Sequence, residues 1–316
     1  MIDFSVSVIM PVYNAAAFVE KAVRSALALE AVKEIVIVED GSLDNSLQII
    51  RKLQNEDDRI KIYQHLNNSN KGRSASRNLA LLKATQPYIS FLDADDFYLN
   101  NRFTVDELQF KSQPNIDGVY NAIGVCFYRK SNADEQSELE MTTVTESIEP
   151  NELFECLLHG KKGYFSIDGL TIKKDVLQQI GYFETHLVVA EDTDWLLKMA
   201  MGCVLVSGEI KVPVAMRGVH ETNVFNQDSV YKQHRDAMYR SVIGWGLKQN
   251  QPKRNIDLLL NFLFYYRNKE KYTLRTEMKY WFNLIIKNPK LVGSSLWIKY
   301  CPIIRQRRKL FPFLFR

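Results

Sequence analysis

The sequence predicts an α/β protein with a mostly parallel central sheet flanked by helices, extended at its C-terminus by a helical segment. Three observations carry this. Short continuous apolar runs alternate with amphipathic helical stripes over the first hundred residues. Acidic or polar turns follow the runs at their carboxyl ends. From Ser229 onward only the helical period remains. Strand–helix alternation implies right-handed crossovers and a sheet covered on both faces.

Taken in order, Val6 to Met10 reads as a buried strand ending at Pro11. Asn14 is expected to cap the next helix, where Phe18, Val19, Ala22, Val23, Ala26 and Leu27 make a stripe. Ile35 to Val38 is a second strand, followed by a helix through Leu47, Ile50 and Leu53 capped near Ser42 or Asp44. Ile60 to Tyr63, a helix from Ser74 to Ala84, and Tyr88 to Leu92 complete the alternating part. Next come longer strands, Val119 to Tyr128 and Leu139 to Thr145, joined by a polar link from Arg129 to Ser137. A helix after Pro150, a strand at Leu170 to Ile172, and a helix from Asp175 to Ile180 closed by Gly181 follow. Glu191 to Met201 is helical and Val204 to Met216 extended. Three further helices are expected at Ser229 to Leu247, Arg254 to Tyr266 and Thr273 to Ile286.

The 316 residues are 46% apolar and 25% charged, which excludes disordered and collagen-like chains. The net charge of +4 is unevenly spread. Between Met278 and Arg316 there are nine basic residues and no acid, leaving 32 of the 41 basic residues against all 37 acidic ones elsewhere. An acidic body with a basic tail does not suit a nucleic-acid-binding surface. Cys126, Cys156, Cys203 and Cys301 are widely spaced, without a zinc-like or redox pair, and are expected to be reduced thiols of a cytoplasmic protein. No secretory leader is expected, and no run reaches the ~18 apolar residues of a membrane span.

The acids are the informative residues. Ligands of open α/β sheets bind beyond the carboxyl ends of the strands. Glu39 and Asp40 follow the second strand, and Asp93, Asp95 and Asp96 follow the fourth. Five carboxylates at one sheet edge repel one another, and a divalent cation relieves such a cluster. No G-x-G-x-x-G follows the first strand and no P-loop occurs, so dinucleotide and P-loop sites are excluded. Lys71 to Asn78 opens a helix whose amides, with Arg77, suit a phosphate or nucleotide. Two other classes use such an edge: a metal-dependent phosphatase or nucleotidyltransferase, and a non-catalytic nucleotide-sugar-binding protein.

Taken together, Ser7 to Asn14, Val38 to Asp44, Gly72 with Ala75 to Asn78, Phe91 to Asp96 and Glu191 to Trp195 form an ordered set. It closely resembles the family 2 glycosyltransferases, inverting enzymes of the GT-A fold with a Rossmann-like sheet, over about residues 5 to 223. Glu39 stands where that family commonly has Asp, which keeps the charge. The resemblance implies transfer of a sugar, hexosyl or N-acetylhexosaminyl, from a nucleotide-diphosphate-sugar, UDP-linked, to a glycan or lipid-linked hydroxyl. It implies that Pro11, Tyr13, Glu39 and Asp40 hold the base and ribose, that Arg77 lies near the nucleotide or diphosphate and that Asp93 contacts the donor ribose or sugar. Asp95 would bind Mg²⁺ or Mn²⁺, and His220, in Arg217 to Asn223, would be a second metal or diphosphate contact. Asp192 would be the catalytic base with Glu191 helping to orient the acceptor or the base, while Trp195 is expected in the core.

Residues 1–115 are then the nucleotide-sugar half, 116–225 the acceptor and catalytic half, and 226–316 the helical extension. Gly163 to Val189 is expected to line the acceptor site, with Ser166, Asp168 and Gly169 near it. The family implies a role in surface polysaccharide or glycolipid assembly. Basic residues interleaved with Trp297, Ile298, Tyr300, Ile303, Ile304, Leu310, Phe311, Phe313, Leu314 and Phe315 suit peripheral attachment to the inner, anionic face of the cell membrane. The alternative is a tail packed on the body.

Overall fold

The structure is a computed structural model that describes residues 3–221, 228–270, 272–311 and 313. The chain divides into two compact units, Met1–Asp228 and Ser229–Arg316, described here separately.

The first unit begins β1 (Val6–Val12), α1 (Val19–Leu27), β2 (Val32–Glu39), α2 (Ser46–Glu56), β3 (Ile60–Gln64), α3 (Arg73–Lys83), β4 (Tyr88–Phe91). Next come β5 (Phe97–Tyr98), α4 (Thr104–Ser112), β6 (Gly118–Tyr120), β7 (Ile123–Phe127), α5 (Ala133–Leu139), β8 (Met141–Thr142) and α6 (Pro150–His159). It closes with β9 (Leu170–Lys173), α7 (Leu177–Ile180), α8 (Glu191–Gly202), β10 (Leu205–Ser207) and β11 (Ala215–Val219). A seven-stranded sheet runs in the order β10-β6-β9-β4-β1-β2-β3. Every pairing in it is parallel except those of β9, which runs antiparallel to β4 and β6. Strand β1 is therefore central, with Ile9 opposite both Val36 and Phe91, and its apolar run is buried on both faces. In α1, Val19, Ala22, Val23 and Ala26 are buried at helical spacing.

The expected mostly parallel α/β sheet is thus present, and local expectations differ in four places. Asn14 does not cap α1, because its side-chain oxygen accepts the Leu43 N–H (2.8 Å) and the helix starts at Val19 after a turn. The expected strand 119–128 is two strands in different sheets. Asn121 breaks it, its amide donating to Asp106 (2.8 Å) and to the Gly169 carbonyl (2.9 Å). Most of the second half of the polar link is α5, which Asn132 caps by accepting the Glu135 N–H, and of the strand expected after it, 139–145, only Met141 and Thr142 form β8. The stretch 204–216 divides into β10 and β11 around Glu209, whose carboxylate accepts the N–H groups of Lys211 and Val212. A second sheet, β5-β11-β7-β8, follows from these breaks and was not foreseen.

The second unit is helical, as expected: α9 (Asp228–Lys248), α10 (Lys253–Lys269), α11 (Leu274–Lys287), then short α12 (Leu296–Lys299), α13 (Pro302–Arg305) and α14 (Arg307–Leu310). Thr273 caps α11 by accepting the Thr276 N–H. No described helix is long and apolar enough to cross a membrane. The four cysteines are free thiols, and burial pushes the Cys203 thiol up to about 12.

Candidate active site

Strands β2 and β4 flank β1, so their carboxyl ends bring Glu39, Asp40 and the Asp93–Asp96 loop to one sheet edge. Pro11 lies near the end of β1, with Tyr13 just past it and 47% exposed, an accessible aromatic face.

The five acids do not form one repelling cluster, which corrects the sequence expectation. Glu39 and Asp40 are buried and individually compensated. Glu39 accepts the Ser42 N–H (2.5 Å) and the Gln64 amide (2.7 Å). Asp40 accepts the N–H groups of Lys71 (2.7 Å) and Gly72 (2.9 Å), which ties the β2 turn to the start of α3. His65 stands 3.6 Å from Asp40 and 3.0 Å from Ser76. Gly41 has φ +72°, and a Cβ there would meet the Asn68 carbonyl at 2.5 Å, so the turn requires glycine.

A closer group of acids gathers at the end of β4. Asp93, Asp96 and Asp168 each offer an oxygen within 4.8 Å of the others. Asp168 accepts the Asp93 N–H (3.1 Å) and the Ser166 hydroxyl (3.1 Å), which joins the acceptor-side segment to the β4 loop. Asp96 accepts the Gly218 N–H (2.7 Å). Strand β11 passes so close there that a Cβ on Gly218 would lie 2.2 Å from the Asp95 carbonyl. Burial, then Asp168 and its neighbouring acids, pushes the Asp96 carboxyl well above its ordinary range. Burial and then Asp93 push Asp168 up to about 6. For Asp93 burial acts in the same direction, but Arg77, with Arg73 and Arg217, outweighs it and holds the carboxyl low.

Arg77 is the hub. Its fully buried guanidinium donates to Asp93 (2.6 Å) and to Glu191 (2.9 Å). Burial disfavours its charge, yet Asp93 and Glu191 more than compensate. Arg73 adds a second contact to Glu191 at 3.0 Å. Glu191 and Asp192 open α8 behind Ala190, which adopts φ +60°. Glu191 is buried toward the two arginines, whereas Asp192 is half-buried and accepts the Thr193 N–H (2.7 Å). Trp195 is core, stacked on Phe183 at 4.8 Å.

His220 meets Asp95 at 2.9 Å between Nε2 and Oδ2. Burial, then Asp93, raises the Asp95 carboxyl, and His220 opposes this. Cis ligands of an octahedral ion bound at ~2.1 Å lie about 3 Å apart, so this pair fits a divalent cation. A carboxylate beside an imidazole suits Mn²⁺ at least as well as Mg²⁺. Phe18 stacks on His220 (4.9 Å, 17°) and also touches Tyr128. Thr222 and Asn223 of the same motif lie outside the described residues.

Sequence reasoning missed Phe18, Arg73 and the Asp168–Asp93 bond. Phe18 looked like one more residue of a helical stripe. Nothing local tells that residue 168 meets residue 93.

A sheet whose β4 end carries an Asp-x-Asp loop, bridged by one arginine to a second acidic pair on α8, defines the GT-A class of glycosyltransferase. The family model "Glycosyl transferase family 2" matches residues 7–181, and the chain belongs to that family. An uncharacterized glycosyltransferase of Haemophilus influenzae is 31% identical over 145 residues, 46% of this chain and 54% of that protein. The succinoglycan biosynthesis protein ExoU of Rhizobium meliloti is 36% identical over 97 residues, 31% of this chain and 28% of that protein. These matches span about half or less of the curated relatives' length. The fold is shared with S. aureus TarS 1–349, solved with UDP-GlcNAc, at a TM-score of 0.64 and 18% identity, over 96% of this chain and 92% of that one.

Proposed function

We propose that the protein is an inverting glycosyltransferase that moves a sugar from a UDP-linked donor to a hydroxyl of a glycan or lipid-linked acceptor in polysaccharide or glycolipid assembly. One observation carries the reading: the Arg77 guanidinium holds Asp93 of the β4 loop and Glu191 of the α8 start at once. With Glu191 neutralised by Arg77 and Arg73, Asp192 is the member of the pair left to accept the acceptor hydroxyl's proton. Residues 1–115 take the nucleotide-sugar, with Tyr13 presenting a face to the base, and 116–225 take the acceptor.

Asp95 and His220 are the residues that would hold a divalent cation, with Asp93 beside them. Such an ion, when bound, stabilises the negative charge developing on the leaving diphosphate. Asp192 removes the proton as the hydroxyl attacks the anomeric carbon opposite the leaving group, so an α-linked donor gives a β-linked product. The basic tail places the enzyme on the inner face of an anionic membrane, where a lipid-linked acceptor resides. This reading is supported by TarS and ExoU, the first solved with UDP-GlcNAc and the second named for polysaccharide synthesis.

A screen of nucleotide-sugars with Mn²⁺ tests the reading. Metal-dependent release of nucleoside diphosphate, with sugar appearing on an acceptor, is expected. Release of inorganic phosphate instead would identify a phosphatase.

A further inference from the structure

The second unit turns large apolar side chains outward where the chain carries no acid. Among the described residues 22 large apolar side chains are exposed, and nine of them fall between Phe282 and Phe313. Single exposed apolar residues are ordinary, but a cluster of this kind marks an interaction surface.

Helix α11 shows how it is built. Glu277, Trp281 and Leu284 form its buried stripe. On the opposite side Phe282 (56% exposed) and Ile286 (77% exposed) lie at i,i+4, on one face with exposed Arg275 and Lys279. Downstream the chain is pinned rather than loose. Leu296, Tyr300 and Pro302 are buried, the Tyr300 hydroxyl donates to Asp257 of α10 (2.7 Å), and its ring stacks on Phe264 at 5.6 Å. The pairs Trp297–Ile298 and Ile303–Ile304 flank these anchors and are exposed. Helix α13, which carries the second pair, packs against α11.

We propose that α11 and the α12–α14 segment form a docking surface for an anionic lipid bilayer. Of the nine basic residues between 278 and 316, the exposed Lys279, Lys287, Arg307, Arg308 and Lys309 complement lipid phosphates, whereas Lys299 pairs with Asp257 (2.6 Å), Lys290 donates to Asn250 (2.8 Å) and Arg305 lies against Phe264. Aliphatic pairs and Trp297 suit the boundary between headgroups and acyl chains, whereas a phosphodiester backbone alone gives them nothing to bury. Four-residue helices lie on such a boundary and do not cross it. Both readings of the tail are therefore combined: one side packs on the unit and the other faces lipid. The proposal rests on the membrane-borne acceptor for its purpose only, since docking and sugar transfer are separate readouts.

The test is co-sedimentation of the full chain with vesicles of 70% phosphatidylcholine and 30% phosphatidylglycerol, and with pure phosphatidylcholine. Partition onto the anionic vesicles alone is expected, with a blue shift in emission that Trp297→Phe abolishes. Arg307→Gln with Arg308→Gln and Lys309→Gln should lower partition at least tenfold. Phe282→Ser with Ile286→Ser, and Ile303→Ser with Ile304→Ser, should each lower it about fivefold or more while the melting temperature holds. Asp192→Asn should partition as the wild type does. Wild-type protein that stays in the supernatant, or serine variants that partition unchanged, would overturn the proposal. Self-association of wild type lost in the serine variants, without lipid binding, would assign the surface to a second copy instead.

Discussion

Arg77 of α3 and Glu191 at the start of α8 form an ion pair in which both side chains are buried, Nη1 to Oε1 2.9 Å, although 114 residues separate them. The same guanidinium holds Asp93, so removing it takes a buried partner from two carboxylates at once and leaves Glu191 with Arg73. Breaking a buried pair from one side costs about 3–5 kcal/mol. Arg77→Leu is expected to lose that much in urea denaturation and to lose transfer as well. A loss below ~1 kcal/mol would mean the two loops are held by something else.

Asp192→Asn keeps shape and removes the proposed base. Transfer should fall by roughly 10²–10⁴, with nucleotide affinity unchanged by calorimetry. Glu191→Gln should instead lower the melting temperature, because it breaks the contacts to Arg73 and Arg77. An Asp192→Asn enzyme retaining most of its turnover would reassign the base.

Phe18 lies parallel to the His220 ring, and Asp95 touches the other end of that histidine. Phe18→Ala leaves both proposed metal ligands, Asp95 and His220, chemically intact but frees the imidazole to rotate. The Mn²⁺ concentration for half-maximal activity should rise about tenfold, with activity at saturating Mn²⁺ largely kept. Phe18→Tyr should behave as wild type. An unchanged Mn²⁺ dependence in Phe18→Ala would refute the positioning role.

Asp168 carries a carboxyl pushed up to about 6 by burial and then by Asp93. A folded-state pKa above the unfolded one means that the group's stabilising contribution is complete below the unfolded value and is lost as pH rises through about 6. Without added metal, the protein should therefore lose stability between about pH 4 and pH 6. Asp168→Asn, which cannot ionise, should flatten that fall by on the order of 2 kcal/mol. Parallel denaturation curves for the two proteins at both pH values would contradict this.

Ala190 holds φ +60°, a left-handed conformation that costs an L-residue with a Cβ about 1–2 kcal/mol. Ala190→Gly should raise stability by about 1 kcal/mol if the conformation is fixed by the α8 start. A destabilised glycine variant would mean that the Cβ itself packs.

Much of this protein is written locally. Buried runs such as Val6 to Met10 and the stripe Val19, Ala22, Val23 and Ala26 announce strands and helices, because burial on a sheet or helix imposes its own period. The Asp93-Ala94-Asp95-Asp96 loop and the Glu191-Asp192 pair are contiguous, and their order along the chain carries the family likeness. The fate of each carboxylate is not contiguous. Glu39 and Asp40 read as part of an acidic cluster, yet Gln64, Lys71 and Gly72 satisfy them. Asn121 lies inside a run that reads as one strand, but its amide reaches Asp106 and Gly169, and the chain changes sheets there.

The sequence by itself therefore determined the alternating sheet, the acids available for chemistry and the basic, apolar tail, since periodicity and composition are local properties. Tertiary structure alone decided which acids are compensated, that Arg77 joins Asp93 to Glu191, that Phe18 backs His220, and which tail residues are anchored or exposed. Charge compensation, ring stacking and burial depend on distances across the fold, and no spacing along the chain encodes those.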